Sequence, residues 1–376
     1  MRESCAVRLQ RHFRTVVCAT VAFAAMAVVP LACSQEPTHA AFDAIARWAL
    51  DTRTAPGFSM VVVHAGKIAY AHGFGVADVK ALTPVTPETR FAIGSVSKQF
   101  AAVSILLLAE RNQLSLDDHL SAYLPAMPNA RRITVRELLD QTSGLHNFPS
   151  TDEHQWPLQG PIEPGALFAI LETDRPDFAP GTRWEYSNTN YATLAAIVAR
   201  VSGMPYGEFL QRNIFEPLHM TASGSGYEAQ AGTATPYQGV APYTRQHGLS
   251  LDLFYGAGGV VSTASDLAQW DMALMQGRLL GASSMQELWT AGTLATGARV
   301  PYAMGFVPTI LDGHREVWHN GLTPGAGGYC FNAIFPDDEL AVIVLSNGAR
   351  FSGKPERIVR NVLESYFPPV TSQSPP

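Results

Sequence analysis

Cysteine is scarce in this sequence. Four cysteines occur in 376 residues, and Cys5 and Cys18 lie in a stretch with the features of an export signal. A chain left with Cys330, and with Cys33 if it is retained, is not a disulfide scaffold, so we expect its core to stabilise it. Cys330 lies in the apolar strand pattern Tyr-Cys-Phe, which predicts a core position for the thiol.

Charge is also scarce, at 15% of the residues, and the formal net charge is −6. The sequence shows no basic stripe, so we expect no nucleic-acid partner. It has no H-E-x-x-H and no close Cys/His cluster, so we expect neither a metal ion nor another cofactor. It also has no G-x-S-x-G, which excludes the nucleophile elbow of the α/β-hydrolases.

The chain has no apolar run of the length that a membrane span needs. Residues 15–29 form an uncharged run of about 15 residues after four arginines, and small residues follow at 32–34. This pattern predicts a signal peptide over residues 1–34 and an exported protein, periplasmic or secreted. Two alternatives stay open: a retained N-terminal anchor, and a membrane tether through lipidation of Cys33, although Pro30 stands where lipoprotein signals usually have leucine.

Lysine makes up only four of the 26 basic residues, yet Lys98 lies in a largely apolar stretch three residues after Ser95. The i, i+3 spacing places both side chains on one helix face. Because a lysine, unlike an arginine, can lose its proton when burial lowers its pKa, the pair predicts a nucleophile beside a base. The alternative is a helix N-cap serine with a lysine that reaches solvent.

The order of the predicted elements indicates an α+β fold. Strands are predicted near both ends, at 58–63, 68–73, 316–319, 329–335 and 340–346. Helices are predicted at 41–53, 95–112, 134–140, 165–172, 190–201, 205–213, 265–275 and 355–366. We therefore predict one antiparallel sheet built from the N- and C-terminal segments, flanked by terminal helices, with an inserted, mostly helical lobe over about 95–250. Residues 367–376 are predicted to be a disordered tail.

Two further motifs lie beyond the Ser-x-x-Lys pair. Tyr186 and Asn188 follow a Pro-Gly turn, and their spacing in non-helical chain would direct both side chains to the same side. His319-Asn320-Gly321 ends a predicted strand before a glycine-rich hairpin. Taken alone, each could be an ordinary packing or capping feature.

In this order, the three motifs resemble those of the serine β-lactamase and penicillin-binding-protein superfamily. The resemblance is greatest to its class C-like branch of periplasmic esterases, D-amino-acid peptidases and β-lactamases. It extends over roughly residues 41–366 and implies a β-lactamase/transpeptidase-like hydrolase domain over 35–366. Supporting stretches are 90–95, 133–145, 214–218, 258–263 and 340–348.

The resemblance implies a role for each motif residue. Ser95 would be the nucleophile, and a neutral Lys98 would take or relay its proton. Tyr186 would act as a base in acylation and donate a proton to the leaving group, while Asn188 would hold the substrate carbonyl or amide. The backbone N–H groups of Ser95 and Leu322 would form an oxyanion hole, and the acyl-enzyme would then be hydrolysed or transferred.

The third motif departs from the Lys-Thr-Gly or Lys-Ser-Gly of β-lactamases. The resemblance implies that His319 and Gly321 bind the substrate. In this sequence, the titrating imidazole of His319 replaces the permanent cation of lysine, and the amide of Asn320 replaces the hydroxyl of threonine or serine. This change favours uncharged acyl esters or D-amino-acid amides over β-lactams. Lys354 and Arg357 are either an alternative anion contact or solvated surface charges.

Three functions follow as hypotheses. The first is an exported serine hydrolase that acts on small esters or on D-amino-acid amides or peptides. The second is a β-lactamase or D-Ala-D-Ala carboxypeptidase of the same fold, acting on β-lactams and cell-wall peptides. The third is a non-catalytic binding protein, which the three intact motifs disfavour. In the first, the partner of the protein is a small-molecule substrate.

Overall fold

The computed structural model describes residues 36–148, 160–247, 249–323, 328–351 and 353–368. The predicted signal peptide, with Cys33, and the predicted tail from residue 369 onward lie outside these ranges. The described residues from Pro37 onward form one compact unit. Within this part of the chain, no helix is both long enough and apolar enough to cross a membrane.

The strands are distributed along the whole described chain. They are β1 (Gly57–His64), β2 (Lys67–Asp78), β3 (Thr83–Pro84), β4 (Phe91–Ala92), β5 (Gly224–Ser225), β6 (Tyr237–Gln238), β7 (Thr244–Arg245), β8 (Val260–Ser262), β9 (Val307–Leu311), β10 (His314–Leu322), β11 (Tyr329–Phe335) and β12 (Leu340–Ser346).

The helices lie between β4 and β8, between β8 and β9, and near both ends of the described chain. They are α1 (His39–Asp51), α2 (Ser97–Glu110), α3 (Val135–Leu139), α4 (Pro164–Leu171), α5 (Asn188–Ser202), α6 (Tyr206–Leu210), α7 (Tyr255–Gly258), α8 (Ala264–Met275), α9 (Ala282–Leu288) and α10 (Lys354–Tyr366). A π-helical turn, Gln211–Phe215, follows α6.

The main sheet joins the two ends of the chain, as predicted. Its seven strands have the order β3-β2-β1-β12-β11-β10-β9. β1 pairs antiparallel with β12, with Phe58 opposite Ser346. Because this pairing lies near the middle of the sheet, the α+β fold built from both chain ends is confirmed.

The sheet separates two hydrophobic cores. On β12, Ile343 and Leu345 lie in the core shared with the helices of the inserted segment. Val342 and Val344 point to the opposite face, where α1 and α10 pack. Successive strand side chains alternate between faces. Because β12 is buried on both sides, its residues 340–345 are all apolar.

The nucleophile motif lies where the helical segment meets this sheet. The prediction that Ser95 begins an α-helix was wrong in detail, because Gly94–Val96 form a 3₁₀ turn and α2 begins at Ser97. β10 extends from His314 to Leu322 and brings the third motif to the same turn. The edge strand β9 was not predicted, because it contains Pro308 and lacks clear alternation.

Candidate active site

Ser95 lies in a short turn held against the end of β10. The preceding Gly94 has φ +54°, a left-handed backbone that favours glycine, and a Cβ there would lie 2.8 Å from the backbone N of Leu322. The turn leaves Ser95 partly exposed although its neighbours are buried. The local sequence thus presents one hydroxyl at the seam between helix and sheet.

Lys98 lies in the first turn of α2 and has no solvent exposure. Its Nζ lies 3.0 Å from Ser95 Oγ, 2.8 Å from Asn188 Oδ1 and 2.7 Å from the carbonyl oxygen of Ala257. Burial holds the pKa of Lys98 well below its ordinary value, because desolvation disfavours the ammonium. The structure therefore favours the neutral amine predicted from the sequence.

The contacts of Lys98 determine where the lone pair of its neutral amine points. The Ala257 carbonyl can only accept hydrogen bonds, and so can Asn188 Oδ1, whose amide partner Nδ2 donates to the Phe148 carbonyl at 2.9 Å. These two oxygens take the two N–H groups of the amine. The remaining lone pair is directed at the hydroxyl of Ser95.

Tyr186 approaches Ser95 from the segment before α5. Its hydroxyl donates to Ser95 Oγ at 2.8 Å, and the Nζ of Lys98 lies 4.7 Å from the centre of its ring. Burial raises the pKa of the Tyr186 phenol, with the hydrogen bond to Ser95 as a smaller opposing effect. The phenol therefore holds its proton and is suited to be a proton donor.

Asn188 is the first residue of α5, so the prediction that it lies in non-helical chain was wrong. Its side chain nevertheless reaches the site, where it contacts Lys98 as described above. Its backbone N–H donates to Asn147 Oδ1 at 2.7 Å, and the N–H of Ser187 donates to Gln141 Oε1 at 3.0 Å. These contacts tie the Tyr-x-Asn segment to the loop that follows α3.

Gly321 allows β10 to approach the nucleophile turn. A Cβ at this position would lie 1.9 Å from the Ile93 carbonyl oxygen and 3.4 Å from the backbone N of Ser95. The next residue, Leu322, has an exposed side chain and a backbone N close to Gly94. The main chains that carry the Ser95 and Leu322 amides are thus adjacent, as an oxyanion hole requires.

His319 is buried on the helix-facing side of β10. Its Nδ1 lies 2.6 Å from the Asn320 carbonyl, which can only accept, so Nδ1 carries the proton. Its Nε2 accepts a hydrogen bond from the Tyr302 hydroxyl at 3.0 Å. Desolvation by burial is the main cause that lowers the pKa of His319 to about 3. Burial therefore favours a neutral imidazole here, in place of the titrating imidazole expected from the sequence.

Asn320 points away from Ser95. Its Nδ2 donates to the Tyr329 hydroxyl at 3.0 Å, and Tyr329 donates to Glu356 Oε1 on α10 at 2.5 Å. Alternate strand residues face opposite sides of a sheet, which places the Asn320 amide among the α10 contacts. The expectation that this amide replaces a substrate-gripping hydroxyl was therefore wrong.

Lys354 and Arg357 lie on α10, against the indole of Trp48 from α1. The Lys354 Nζ is 5.8 Å and the Arg357 guanidinium carbon 4.1 Å from the ring centre. Arg357 is exposed and Lys354 partly exposed, so the structure supports the surface-charge alternative, with cation–π packing against Trp48 in place of an anion contact at Ser95.

Two partners at the site were missed from the sequence. Ala257 contributes only its backbone carbonyl, which no residue type reveals. Tyr302 lies in the segment before β9, outside the three motifs, and its contact with His319 arises from tertiary packing. A lone tyrosine in an apolar segment carries no signal that distinguishes such a contact from an ordinary core position.

The model of the Beta-lactamase family matches residues 42–365 of this sequence. The chain belongs to the Beta-lactamase family. It is 33% identical over 300 residues to PbpX of Bacillus subtilis, a protein named for penicillin binding, covering 77% of this chain and 71% of that protein. It is 29% identical over 304 residues to the D-aminopeptidase of Brucella anthropi, covering 78% of this chain and 56% of the relative.

Solved structures of this family share the fold. A D-stereospecific amidohydrolase from Streptomyces sp. superposes with a TM-score of 0.72 at 25% identity, over 89% of this chain and all of that one. The D-amino acid amidase of Ochrobactrum anthropi SV3 has a TM-score of 0.75 at 23% identity, over 87% of this chain and 98% of that one, which shows the fold alone. With these relatives, the chain is a serine hydrolase of the Beta-lactamase family.

Proposed function

We propose that this protein hydrolyses D-amino-acid amides or small esters through an acyl-enzyme on Ser95. The observation that carries the proposal is the hydrogen-bonded array of Ser95, Lys98 and Tyr186, in which a fully buried lysine amine lies 3.0 Å from the nucleophile. A nucleophile within hydrogen-bond reach of an oriented base is the arrangement that covalent catalysis needs.

Acylation begins when the Lys98 amine takes the proton of the Ser95 hydroxyl and Oγ attacks the substrate carbonyl carbon. The developing oxyanion receives hydrogen bonds from the N–H groups of Ser95 and Leu322. Tyr186 then gives its phenolic proton to the leaving amine or alcohol, and the proton held by Lys98 restores the phenol. Because burial raises the pKa of Tyr186, we assign it the acid role and assign Lys98 the base role.

Deacylation returns the site to its starting state. A water molecule attacks the ester carbonyl of the acyl-enzyme while the Lys98 amine accepts its proton. The tetrahedral intermediate collapses with Ser95 Oγ as the leaving group, and Oγ regains a proton from the Lys98–Tyr186 pair. The products are a carboxylic acid and the regenerated Ser95 hydroxyl, which balances the water consumed.

The charges around the site support substrates that have no carboxylate next to the scissile bond. His319 stands where β-lactamases carry a lysine, and its low pKa keeps it neutral. Lys354 and Arg357 are packed on Trp48 rather than directed at Ser95. A substrate carboxylate would therefore lack the cation that strengthens its binding. The similarity to a D-aminopeptidase and to a D-stereospecific amidohydrolase supports D-amino-acid amides in particular.

A substrate panel tests this proposal. We expect kcat/KM for D-amino-acid p-nitroanilides or p-nitrophenyl acetate to exceed that for nitrocefin and for D-Ala-D-Ala peptides. Ser95→Ala should abolish all turnover, whereas Ser104→Ala should keep it, because the Ser104 hydroxyl only caps the Phe100 carbonyl inside α2. Faster turnover of nitrocefin or D-Ala-D-Ala would establish the β-lactamase or carboxypeptidase alternative, and no turnover of any substrate would favour a binding protein.

We further propose that the protein is exported and that residues 1–34 are removed. The basic residues before an uncharged run, with small residues at 32–34, support this proposal. The intact mass of the protein recovered from the periplasm or medium should begin at Gln35. A mass that starts at Cys33 with added acyl chains, lost in Cys33→Ser, would instead show lipidation, and an uncleaved chain would show an anchor.

A further inference from the structure

His319 is enclosed by groups from several elements. Lys98 reaches it from α2, the ring of Tyr186 lies with its centre 6.1 Å away, and Tyr302 meets its ring edge-on at 5.8 Å. Across the sheet it pairs with Asn332, whose amide donates to the buried Asp271 of α8 at 2.9 Å. Within the described residues, Tyr302 Oη is the partner of its Nε2.

The segment that carries Tyr302 also contacts the main chain of Lys98. Three residues after Tyr302, a Cβ at Gly305 would lie 2.8 Å from the Lys98 carbonyl oxygen. Tyr302, Met304 and Phe306 are all buried, and the Tyr302 carbonyl accepts from the Gly292 N–H at 2.9 Å. One segment is therefore packed against both the base and the third motif, which fixes the Tyr302 hydroxyl against His319.

We propose that Tyr302 is a positioning residue whose hydroxyl occupies the last free lone pair of His319 and thereby adds to the effect of burial in stabilising the neutral ring. The Asn320 carbonyl already requires the proton on Nδ1, so Nε2 is the one ring atom that could gain a proton. A hydrogen bond donated to Nε2 stabilises the neutral ring. The prediction about substrate selectivity rests on the proposed function, whereas the prediction about the protonation of His319 does not.

Protonation of the His319 ring would change the charge of the site. A protonated His319 would place a cation beside Lys98 and the acyl group, where it would oppose protonation of Lys98 and attract a substrate carboxylate. By stabilising the neutral ring, Tyr302 extends the pH range without that cation further into acid. Removing the hydroxyl should make selectivity against carboxylates depend on pH in acid.

The test compares Tyr302→Phe with Tyr206→Phe by ¹⁵N NMR of the histidine rings. Tyr206 is an equally buried tyrosine that packs on Tyr255, and its hydroxyl has no partner among the described residues. The His319 signals are assigned by their loss in His319→Gln. In the unmodified protein, His319 should show a protonated Nδ1 and an unprotonated Nε2 down to about pH 5.

In Tyr302→Phe, the protonation midpoint of His319 should rise by up to about one pH unit, the tenfold change that one neutral hydrogen bond supplies. Below about pH 5, the ratio of kcat/KM for a carboxylate-bearing ester to that for a neutral ester should rise in this variant but not in Tyr206→Phe. An unchanged midpoint in a folded Tyr302→Phe would overturn the proposal. If that variant does not fold, a protonated Nε2 near neutral pH in the unmodified protein would overturn it.

The two proposals can fail separately. Loss of all ester and amide turnover in the unmodified protein contradicts the proposed function and leaves the NMR result to decide the role of Tyr302. An unchanged His319 midpoint with intact turnover contradicts only the role of Tyr302.

Discussion

The Nζ of Lys98 lies 3.0 Å from Ser95 Oγ while the lysine itself has no solvent exposure. Its other two contacts, with Asn188 and Ala257, are with atoms that only accept hydrogen bonds. This geometry gives the neutral amine one orientation, with its lone pair on the nucleophile. A group that cannot lose its proton could not perform the same task.

We therefore predict that Lys98→Arg is nearly as damaging as Lys98→Ala. Arginine stays protonated near neutral pH, so both variants lose the base, and turnover of a p-nitrophenyl ester should fall by on the order of 10²–10⁴. Lys67→Arg is the matched control, because Lys67 is exposed at the β1–β2 turn. Retention of most activity in a folded Lys98→Arg would mean that Lys98 acts only through its charge.

Gly321→Ala should move β10, which carries the third motif, away from the turn that carries Ser95. The added Cβ would meet the Ile93 carbonyl oxygen at 1.9 Å, and both contacting groups belong to the main chain. We expect kcat to fall by about 10²-fold, because a displacement of this size misaligns the reacting groups.

The control for this prediction is Gly165→Ala in α4. A Cβ there meets nothing within 4 Å, and alanine is the better helix former. Kinetics and thermal unfolding of both variants provide the comparison. Equal kcat values for Gly321→Ala and the unmodified protein would show that the close approach at β10 does not matter for catalysis.

His319→Lys should shift selectivity toward substrates that bear a carboxylate. It restores a cation at the position where β-lactamases have one, and a charged hydrogen bond to a carboxylate is worth about 1.5–3 kcal/mol, or roughly 10- to 150-fold. The ratio of nitrocefin turnover to p-nitrophenyl acetate turnover measures the shift. His72→Lys is the control, because His72 is exposed. A constant ratio would show that position 319 does not set selectivity. Asn320 is left unchanged because its side chain faces α10.

The buried carboxyl of Asp140 should make the free energy of unfolding depend on pH. Burial raises the pKa of this carboxyl to about 7. Between about pH 4 and 7 the folded state therefore holds a proton that the unfolded state has lost, so stability falls as pH rises through this window. The loss is on the order of 4 kcal/mol at most, from about three pKa units.

Chemical denaturation at several pH values checks this prediction. Asp140→Asn should flatten the decline between about pH 4 and 7, because the amide does not ionise. Asp117→Asn, at a side chain that is 84% exposed, should leave the decline unchanged. If the slopes of the Asp140→Asn and unmodified proteins agree, Asp140 is ionised in the folded protein at neutral pH.

The parts of the fold that were predictable are those in which burial dictates residue type. β11 and β12 have the predicted bounds, because strands buried on both faces form mostly apolar runs, in which Asn332 is a hydrogen-bonded exception. β9 was missed because an edge strand can carry a proline and an exposed residue such as Ile310. Its identity depends on its pairing with β10, which sequence periodicity does not report.

The site also contains some features that the sequence predicts and others that it does not. The structure brings Ser95, Lys98 and Tyr186 together as predicted, because their chemistry requires particular side chains at particular spacings. The Ala257 carbonyl could not be predicted, because any residue has one. The burial that favours a neutral His319 could not be predicted either, because it arises from tertiary packing.

The most direct test of the role of Ser95 as the nucleophile is covalent labelling of its hydroxyl. The folded protein is incubated with a fluorophosphonate, and the adduct is located by mass spectrometry of its peptides. We predict one adduct, on the peptide that contains Ser95, which is absent in Ser95→Ala and retained in Ser104→Ala. No adduct on the folded, unmodified protein, or an adduct that survives Ser95→Ala, would contradict the assignment of Ser95 as the nucleophile.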